Sequence, residues 1–193
     1  MGAPTGSGSM PRHPDGETTT AAPPAQAREG PGRVERPDPN PRVRAARHED
    51  LPAVVMAVEN LLTELGSRPP RTSLMLQTAQ ALLEDPRLGA LLLAEAGAEN
   101  TIVGVLGASY QLALHVPGRY ALIQDLWVHP SWRGRAVGRD LLAALFELAR
   151  RQGMARAEVG LPRESFAGIR ATEGFYAHNG FEHLGARMRL LFS

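Results

Sequence analysis

A strand that runs into an Arg- and Gly-rich turn and then into a helix constrains this chain more than any other stretch. Residues 122–128 include only two polar side chains, which predicts a central strand covered on both faces. The turn at 133–138 follows, and residues 139–151 place leucines at helical spacing, as in a helix that packs on a sheet. A further predicted strand at 156–160 completes a parallel, right-handed strand–helix–strand crossover. The fold class predicted is therefore α/β, or α+β, with a mixed sheet.

The remaining elements are predicted from hydrophobic periodicity and from turn residues. Asp50 and Pro52 favour a helix start, Gly66 favours its end, and Pro117-Gly118 is typical of a turn between two strands. The predicted helices are 51–65, 72–83, 139–151 and a segment within 166–178 that ends at Asn179-Gly180. The predicted strands are 41–46, 89–96, 101–114, 120–128, 156–160, 181–184 and 187–192.

Residues 1–40 differ in composition from the rest of the chain. They hold eight of the 16 prolines and six of the 20 glycines, and they contain no Leu, Ile, Phe, Trp or Tyr. Such a segment cannot bury enough apolar surface to offset the entropy lost on ordering. We predict a disordered Pro/Gly-rich tail at 1–40 and one globular domain at 41–193.

Composition excludes several classes of function. The 193 residues include no Cys and no Lys, so a disulfide, a Cys acyl-enzyme and a Walker-type phosphate loop are excluded. A net charge of +1 and 5% aromatic residues do not favour a nucleic-acid partner. The six histidines form no H-x-x-x-H or H-E-x-x-H pair, and His178 and His183 straddle a turn, so no metal is expected. No apolar run is long enough for a membrane span and no secretory signal is evident, so the expected location is cytoplasmic.

The turn at 133–138 has the chemistry of an anion site. A helix start carries backbone N–H groups without intrahelical partners, together with the positive end of the helix dipole. Glycine residues let the backbone approach a phosphate closely. The turn is therefore predicted to bind a phosphate compound.

Two motifs make the chain resemble the GNAT superfamily of N-acetyltransferases. Residues 125–142, Asp-Leu-Trp-Val-His-Pro-Ser-Trp-Arg-Gly-Arg-Ala-Val-Gly-Arg-Asp-Leu-Leu, are similar to the family's pyrophosphate motif, written [QR]-x-x-G-x-[GA]. Residues 174–181, Gly-Phe-Tyr-Ala-His-Asn-Gly-Phe, are similar to its A-x-x-F-Y-x-x-x-G-F ending. The resemblance covers residues 41–193 and implies a splayed central sheet flanked by helices.

The resemblance also implies that acetyl-CoA is the co-substrate and that it enters a gap between strands 120–128 and 156–160. The pantetheine arm would pair with the strand at 126–128, and the turn would supply N–H donors to the pyrophosphate. One departure is Ala136, where the family usually has glycine; its methyl is harmless at negative φ and costly at positive φ. The residues implied in binding acetyl-CoA are Leu126, Trp127, Val128, Arg133, Gly134, Arg135, Ala136, Val137, Gly138 and Arg139.

Two residues are candidates for catalysis. Tyr176 matches the tyrosine that serves many family members as general acid toward the CoA thiolate, although packing beside Phe175 and Phe181 is an alternative role. Asp125 would be the general base, directly or through water, because a buried carboxylate near the thioester has a raised pKa. It could instead only contact the substrate ammonium. Glu164 and His115 are alternative bases that match no motif.

The function expected is direct transfer of an acetyl group to a primary amine of a small molecule. Residues 60–75 and 160–170 would set the specificity. A similarity of the Asp-Leu-Trp-Val run to aminoglycoside acetyltransferases hints at polycationic acceptors, for which the cleft should be acidic. The alternatives are acetylation of protein N-termini or lysines, and a non-catalytic module that binds acyl-CoA. Neither the acceptor nor the oligomeric state follows from the sequence, and a homodimer is one option.

Overall fold

The computed structural model describes residues 41–185 of the chain. A five-stranded sheet has the order β1-β2-β3-β4-β5, in which β1 to β4 are antiparallel neighbours and β5 is parallel to β4. The strands are β1 (Arg42–Ala45), β2 (Gly89–Ala96), β3 (Thr101–Ala113), β4 (Val116–Val128) and β5 (Ala157–Val159). The helices are α1 (Leu51–Glu64), α2 (Thr72–Glu84), α3 (Val137–Arg151) and α4 (Ile169–His178), with short 3-10 turns at His48–Asp50 and Pro130–Trp132.

Hydrophobic clusters cover both faces of the sheet. On one face α3 buries Leu141, Leu142 and Leu145 completely. On the other face α1 and α2 pack over a second cluster that includes Leu93 and Trp127. The predicted central strand is therefore confirmed, because β4 is covered on both sides.

Gly104 in β3 brings the first turn of α3 close to the sheet. A Cβ atom at this position would lie 2.8 Å from Val137 Cγ1 and 3.0 Å from Leu141 Cδ1. Both contacts are shorter than ordinary van der Waals contact, so a larger residue would require these side chains or the helix to shift. This close approach fixes where α3 begins relative to the end of β4.

A β-bulge in β4 changes the direction in which its side chains point. Ala108 of β3 is opposite Ile123, but the next residue of β3, Gly107, is opposite Asp125, so Gln124 is the extra residue. Such an insertion reverses the alternation of side chains beyond it. Asp125 consequently lies on the α1/α2 face, whereas without the bulge it would point toward α3.

The parallel pairing of β4 with β5 is short. It covers Ala121 to Ile123 on β4 and ends at Val159 on β5, while β4 itself continues to Val128. The last residues of β4 therefore have a ladder partner only in β3 among the described strands. This geometry agrees with the gap expected between the two strands.

Most predicted elements are confirmed, with four corrections. The third helix begins at Val137 and not at residue 139. The β3–β4 turn consists of Leu114 and His115, whereas Pro117-Gly118 lies within β4 at a bulge. Residues 181–184 form no strand. Asp50 precedes α1 as predicted, but its carboxylate does not cap the helix. The predicted tail at 1–40 and strand at 187–192 lie outside the described residues.

The Asp50 carboxylate instead joins α1 to the sheet through an arginine. Arg44 of β1 donates to both Asp50 oxygens, at 2.6 and 2.9 Å, and its Nε donates to Glu95 Oε1 of β2 at 2.8 Å. The hydrogen bond from Arg44, helped by the Arg47 backbone N–H, lowers the pKa of Asp50 despite its burial. The same contacts raise the pKa of Arg44. This network fixes the first turn of α1, the helix that covers Asp125. No described helix is both long and apolar enough to cross a membrane.

We expect Asp50→Asn to lower the free energy of unfolding at pH 7 by about 1.5–3 kcal/mol, because hydrogen bonds between charged groups contribute that much. A carboxyl whose folded pKa is lowered stabilises fully above its ordinary value of 3.8 and stops doing so as the pH falls through the lowered pKa. Urea unfolding of both proteins from pH 7 to about pH 3 should therefore show a difference that shrinks at the acid end.

The matched control is Asp85→Asn, since Asp85 also pairs with an arginine, Arg87, but does so at the surface. This substitution should change stability little. Equal losses from the two substitutions, or a difference that does not depend on pH, would contradict the assignment.

Candidate active site

The open end of β4 presents backbone groups on the side away from β3. The amide of His129 donates to Val103 O at 2.9 Å, which places the backbone groups of residue 129 toward β3. Hydrogen-bonding direction alternates along an antiparallel strand, so Trp127 also faces β3, whereas Leu126 and Val128 face the gap. Among residues 126–128, Leu126 and Val128 therefore have backbone groups that could pair with an extended ligand added at the strand edge.

The turn before α3 has left-handed backbone at two positions. Gly134 has φ 75° and Ala136, the residue that precedes the helix, has φ 64°. The family's glycine is thus replaced by a residue whose methyl group is strained in this conformation. Alanine offers no side-chain acceptor, and no side chain of the described residues caps the start of α3. The first-turn N–H groups and the positive end of the dipole are consequently arranged for an anion.

The three arginines of the turn have different partners. Arg133 donates from Nε to Val128 O at 3.1 Å and forms an ion pair with Glu64 at 2.6 Å. Arg135 lies 5.2 Å from the centre of the Trp132 ring. Arg139 pairs with its neighbour Asp140 at 3.1 Å. Arg133 therefore ties the turn to β4 and α1, while the partners of Arg135 and Arg139 within residues 41–185 belong to their own segment.

Glu64 lies within the segment 60–75 that is expected to set specificity, but the sequence assigns it no role of its own. It stands at the last position of α1, and besides Arg133 it accepts a hydrogen bond from Trp127 Nε1 at 3.2 Å. It therefore connects α1 to both β4 and the turn. The helical pattern of 51–65 places Glu64 at a helix end but gives no signal for its distant partners.

Gly138 serves the contact between α3 and α4. A Cβ atom there would lie 3.1 Å from Phe175 Cζ, so its absence lets the two helices approach closely. Val137 beside it is buried in the core under α3. Both residues position the turn through packing, and their backbone N–H groups belong to the uncapped first turn.

Tyr176 lies in the hydrophobic cluster under α3. Its side chain is 8% exposed and its ring makes edge contacts with Phe175 and Phe181, with centroids 5.1 and 5.3 Å away. Burial and, secondarily, the charge of Asp125 raise the pKa of Tyr176 to about 12. The charge of Asp125 thus acts on Tyr176, although the ring belongs to the cluster under α3 and Asp125 lies on the α1/α2 face. The ring contacts match the packing role that was the alternative for Tyr176.

Asp125 is a carboxylate in largely apolar surroundings. Burial raises its pKa above the ordinary value of 3.8. It faces Gly107, where even a Cβ atom would lie 3.4 Å from Asp125 Oδ2. Its side chain lines a cavity of about 320 Å³ between α1, α2 and the sheet. Asp125 therefore stands where a ligand in the cavity would meet a ligand in the gap.

The two alternative bases lie elsewhere. His115 is in the β3–β4 turn, ten residues before Asp125, and an extended strand of that length spans roughly 30 Å. Glu164 lies in an exposed turn between β5 and α4. Neither shares the partly buried position of Asp125 on the covered face of β4. Among residues 41–185, no group of three or more His, Asp or Glu side chains is arranged to hold a metal ion.

We expect Ala136→Gly to raise the free energy of unfolding by about 0.5–1 kcal/mol, because relief of the left-handed strain exceeds the entropy cost of glycine. The control is Ala143→Gly at an exposed position within α3, which should lower it by about 1 kcal/mol. Chemical denaturation measures both. A loss of stability in both variants would show that Ala136 is not strained.

Comparisons with known proteins agree with this geometry. A family model described as an acetyltransferase (GNAT) domain matches residues 87–183. A possible acetyltransferase from Clostridium difficile has a similar structure, with a TM-score of 0.66 and 17% identity over 80% of this chain and 99% of that one. An integron cassette protein from the Cole Harbour Salt Marsh metagenome has a TM-score of 0.63 and 26% identity over 78% and 89% of the two chains.

A third similar structure is an aminoglycoside N-acetyltransferase in complex with CoA, with a TM-score of 0.63 and 17% identity over 79% of this chain and 93% of that one. No curated protein sequence matches the chain. The family match spans half of the chain and includes β4, the strained turn, α3 and α4. The chain belongs to the GNAT acetyltransferase family.

Proposed function

We propose that this protein transfers an acetyl group from acetyl-CoA directly to a primary amine of a small molecule. The observation that carries the proposal is a pair of groups with raised pKa values, the Asp125 carboxyl and the Tyr176 hydroxyl, of which the first acts electrostatically on the second. The uncapped start of α3, which follows β4 in the chain, adds a place for an anion. Groups with shifted pKa values are enriched at catalytic sites, which supports a role for both residues.

The residues at the open end of β4 and at the start of α3 fit the co-substrate. Acetyl-CoA, when bound, supplies an acetyl group activated as a thioester. The backbone of Leu126 and Val128 would hold the pantetheine amides as an added strand does. The first-turn N–H groups of α3 would receive the pyrophosphate, with Arg135 and Arg139 beside it. Arg133 acts by fixing the turn through Val128 and Glu64.

We assign Asp125 the role of general base, which accepts the proton of the amine. An ammonium of pKa about 10.4 must lose a proton before it can attack, which costs roughly 4–5 kcal/mol at pH 7. Because burial raises the pKa of Asp125, its carboxylate is a stronger base than one in water. Asp125 accepts the ammonium proton, directly or through a water molecule. The neutral amine nitrogen then forms the bond to the acetyl carbon while the C–S bond breaks, and the proton that this nitrogen still has to lose goes to the departing thiolate.

We assign Tyr176 the role of hydrogen-bond donor to the sulfur atom that leaves. A hydroxyl with a pKa of about 12 stays protonated at neutral pH and can donate a hydrogen bond. Complete transfer of its proton to a thiolate whose thiol has a pKa near 8.5 is uphill by roughly 5 kcal/mol. Tyr176 therefore stabilises the developing thiolate as a hydrogen-bond donor. The chain has no Cys to form an acyl-enzyme thioester, which favours direct transfer.

We expect Tyr176→Phe to lower kcat by about 100-fold, because it removes a donor that acts where charge develops in the transition state. Its affinity for CoA should change by less than about threefold, since the ring and its packing remain. Release of the CoA thiol, followed with a thiol reagent, measures the first quantity, and calorimetry measures the second.

The control is Tyr110→Phe, because Tyr110 is buried to a similar degree in β3 but lies outside the gap. It should retain full activity. An unchanged kcat in Tyr176→Phe would remove Tyr176 from the mechanism and leave it a packing role.

We expect Asp125→Asn to lower kcat/KM by about 100-fold or more and to raise the free energy of unfolding at pH 7. A carboxyl whose folded pKa is raised destabilises the folded protein above that pKa, so its neutral isostere should be more stable. The acid limb of the wild-type pH–rate profile, lying above the ordinary pKa of 3.8, should disappear in the variant. Rate and urea-unfolding measurements over pH 4–8 test both statements.

The proposed function would be contradicted if acetyl-CoA stabilised the protein against heat but no amine led to release of the CoA thiol. That result would identify a non-catalytic module that binds acyl-CoA. A loss of activity together with a loss of stability in Asp125→Asn would instead make Asp125 a structural residue.

A further inference from the structure

We propose that the acceptor is a monoamine with an apolar substituent, held in the cavity between α1, α2 and the sheet with its nitrogen at Asp125. This inference rests on the proposed function and adds the class of substrate to it. It replaces the polycationic acceptor that the sequence hinted at.

The walls of the cavity are almost entirely apolar. Its volume is about 320 Å³, near the lower limit for sites that bind small molecules. Among the described residues that line it, Asp125 is the only ionisable one and Thr78 the only other polar one. α1 and α2 provide the side chains that make up most of the wall, which include Val54, Val58, Leu62, Leu74, Met75 and Leu82.

A single carboxylate in apolar walls selects for a single charge. An ammonium group at Asp125 forms an ion pair, and an alkyl or aryl group beyond it gains from leaving water. A second or third ammonium group would lose its hydration inside the cavity without a partner, which is strongly unfavourable. The cavity therefore discriminates against polyamines and aminoglycosides through desolvation.

Other acidic groups near the α1–α2 side are already engaged. Glu64 binds Arg133 and Trp127, and Glu59 accepts a hydrogen bond from Thr72 Oγ1 at 2.7 Å. Glu164 lies in the exposed turn and does not line the cavity. The acidic cleft that a polycation would need is thus not assembled around Asp125.

A homologous series of primary amines tests the inference. With acetyl-CoA as donor, KM should fall about three- to fourfold for each methylene from ethylamine toward hexylamine, until the cavity is full. Spermidine, a flexible triamine, should have a kcat/KM at least about 100-fold below that of hexylamine. A KM independent of chain length, or a preference for spermidine, would overturn the inference while leaving the proposed function intact.

Two substitutions at exposed rim positions should move the preference in opposite directions. Leu74 is 53% exposed, so Leu74→Asn should fold normally and weaken the dependence of KM on chain length. Thr78→Val should strengthen that dependence. The control is Leu112→Asn, which changes a leucine that is 78% exposed and far along β3, and it should behave as the wild type. Equal behaviour of all three variants would contradict the location of the acceptor.

Binding separates a failure of the inference from a failure of the proposed function. If no amine releases thiol, the proposed function fails, and calorimetry with CoA present then tests the cavity alone. Hexylamine should bind more tightly than spermidine, and Asp125→Asn should lower the affinity for hexylamine at least tenfold. Equal binding of the two amines would overturn the inference. So would faster turnover with hexanoyl-CoA than with acetyl-CoA, since the cavity would then hold the acyl chain.

Discussion

The arrangement of the site depends on β4 having a full partner on one side and a partial one on the other. Its ladder with β3 fixes the strand along its whole length, whereas its ladder with β5 ends at Ile123 and Val159. Backbone groups at Leu126 and Val128 are thereby left facing a gap. The bulge at Gln124 turns Asp125 to the opposite face, toward the cavity under α1 and α2. Under the proposed function, one strand would serve two ligand sites, one on its edge and one on its face.

Two aspartates show how environment separates structural from chemical carboxylates in this fold. Asp50 is buried with Arg44, and the guanidinium lowers its pKa. Asp125 is partly buried and forms no ion pair among the described residues, so desolvation raises its pKa. The first carboxylate stabilises the folded protein at neutral pH and the second destabilises it. Retention of an unfavourable charge at the mouth of a cavity is understandable if a cationic ligand completes it.

The parts of the fold that follow local rules could be predicted from the sequence. Helices with clear periodicity and strands bounded by turn residues were placed within a few residues, and the parallel crossover followed from chain order. The prediction of a turn at Pro117-Gly118 was wrong. Leu114 and His115 form a shorter, two-residue connection, and the Pro-Gly pair lies in a bulge of β4. The start of α3 was placed too late because Val137 reads as part of the glycine-rich turn.

Long-range geometry accounts for what the sequence could not provide. The family motif made Tyr176 a candidate, and its position on the central strand made Asp125 one. Nothing in the sequence places Asp125 on the α1/α2 face, because a bulge leaves no local signal. From the sequence, Ala136 could have had either a negative φ without strain or a positive φ with strain. Its φ of 64° shows that the strained conformation is adopted. Trp127 and Arg133, the two partners of Glu64, follow it in the sequence by 63 and 69 positions. The apolar character of the cavity, too, emerges only when α1 and α2 are packed together.

A crystal structure of the protein grown with CoA tests the central claim most directly. The account predicts pantetheine amides hydrogen-bonded to the backbone of Leu126 and Val128, and pyrophosphate oxygens on the first-turn N–H groups of α3. The sulfur should lie within hydrogen-bond reach of the Tyr176 hydroxyl, at the mouth of the cavity that Asp125 lines. CoA bound outside the gap between β4 and β5, or with its sulfur remote from Asp125 and Tyr176, would contradict the account.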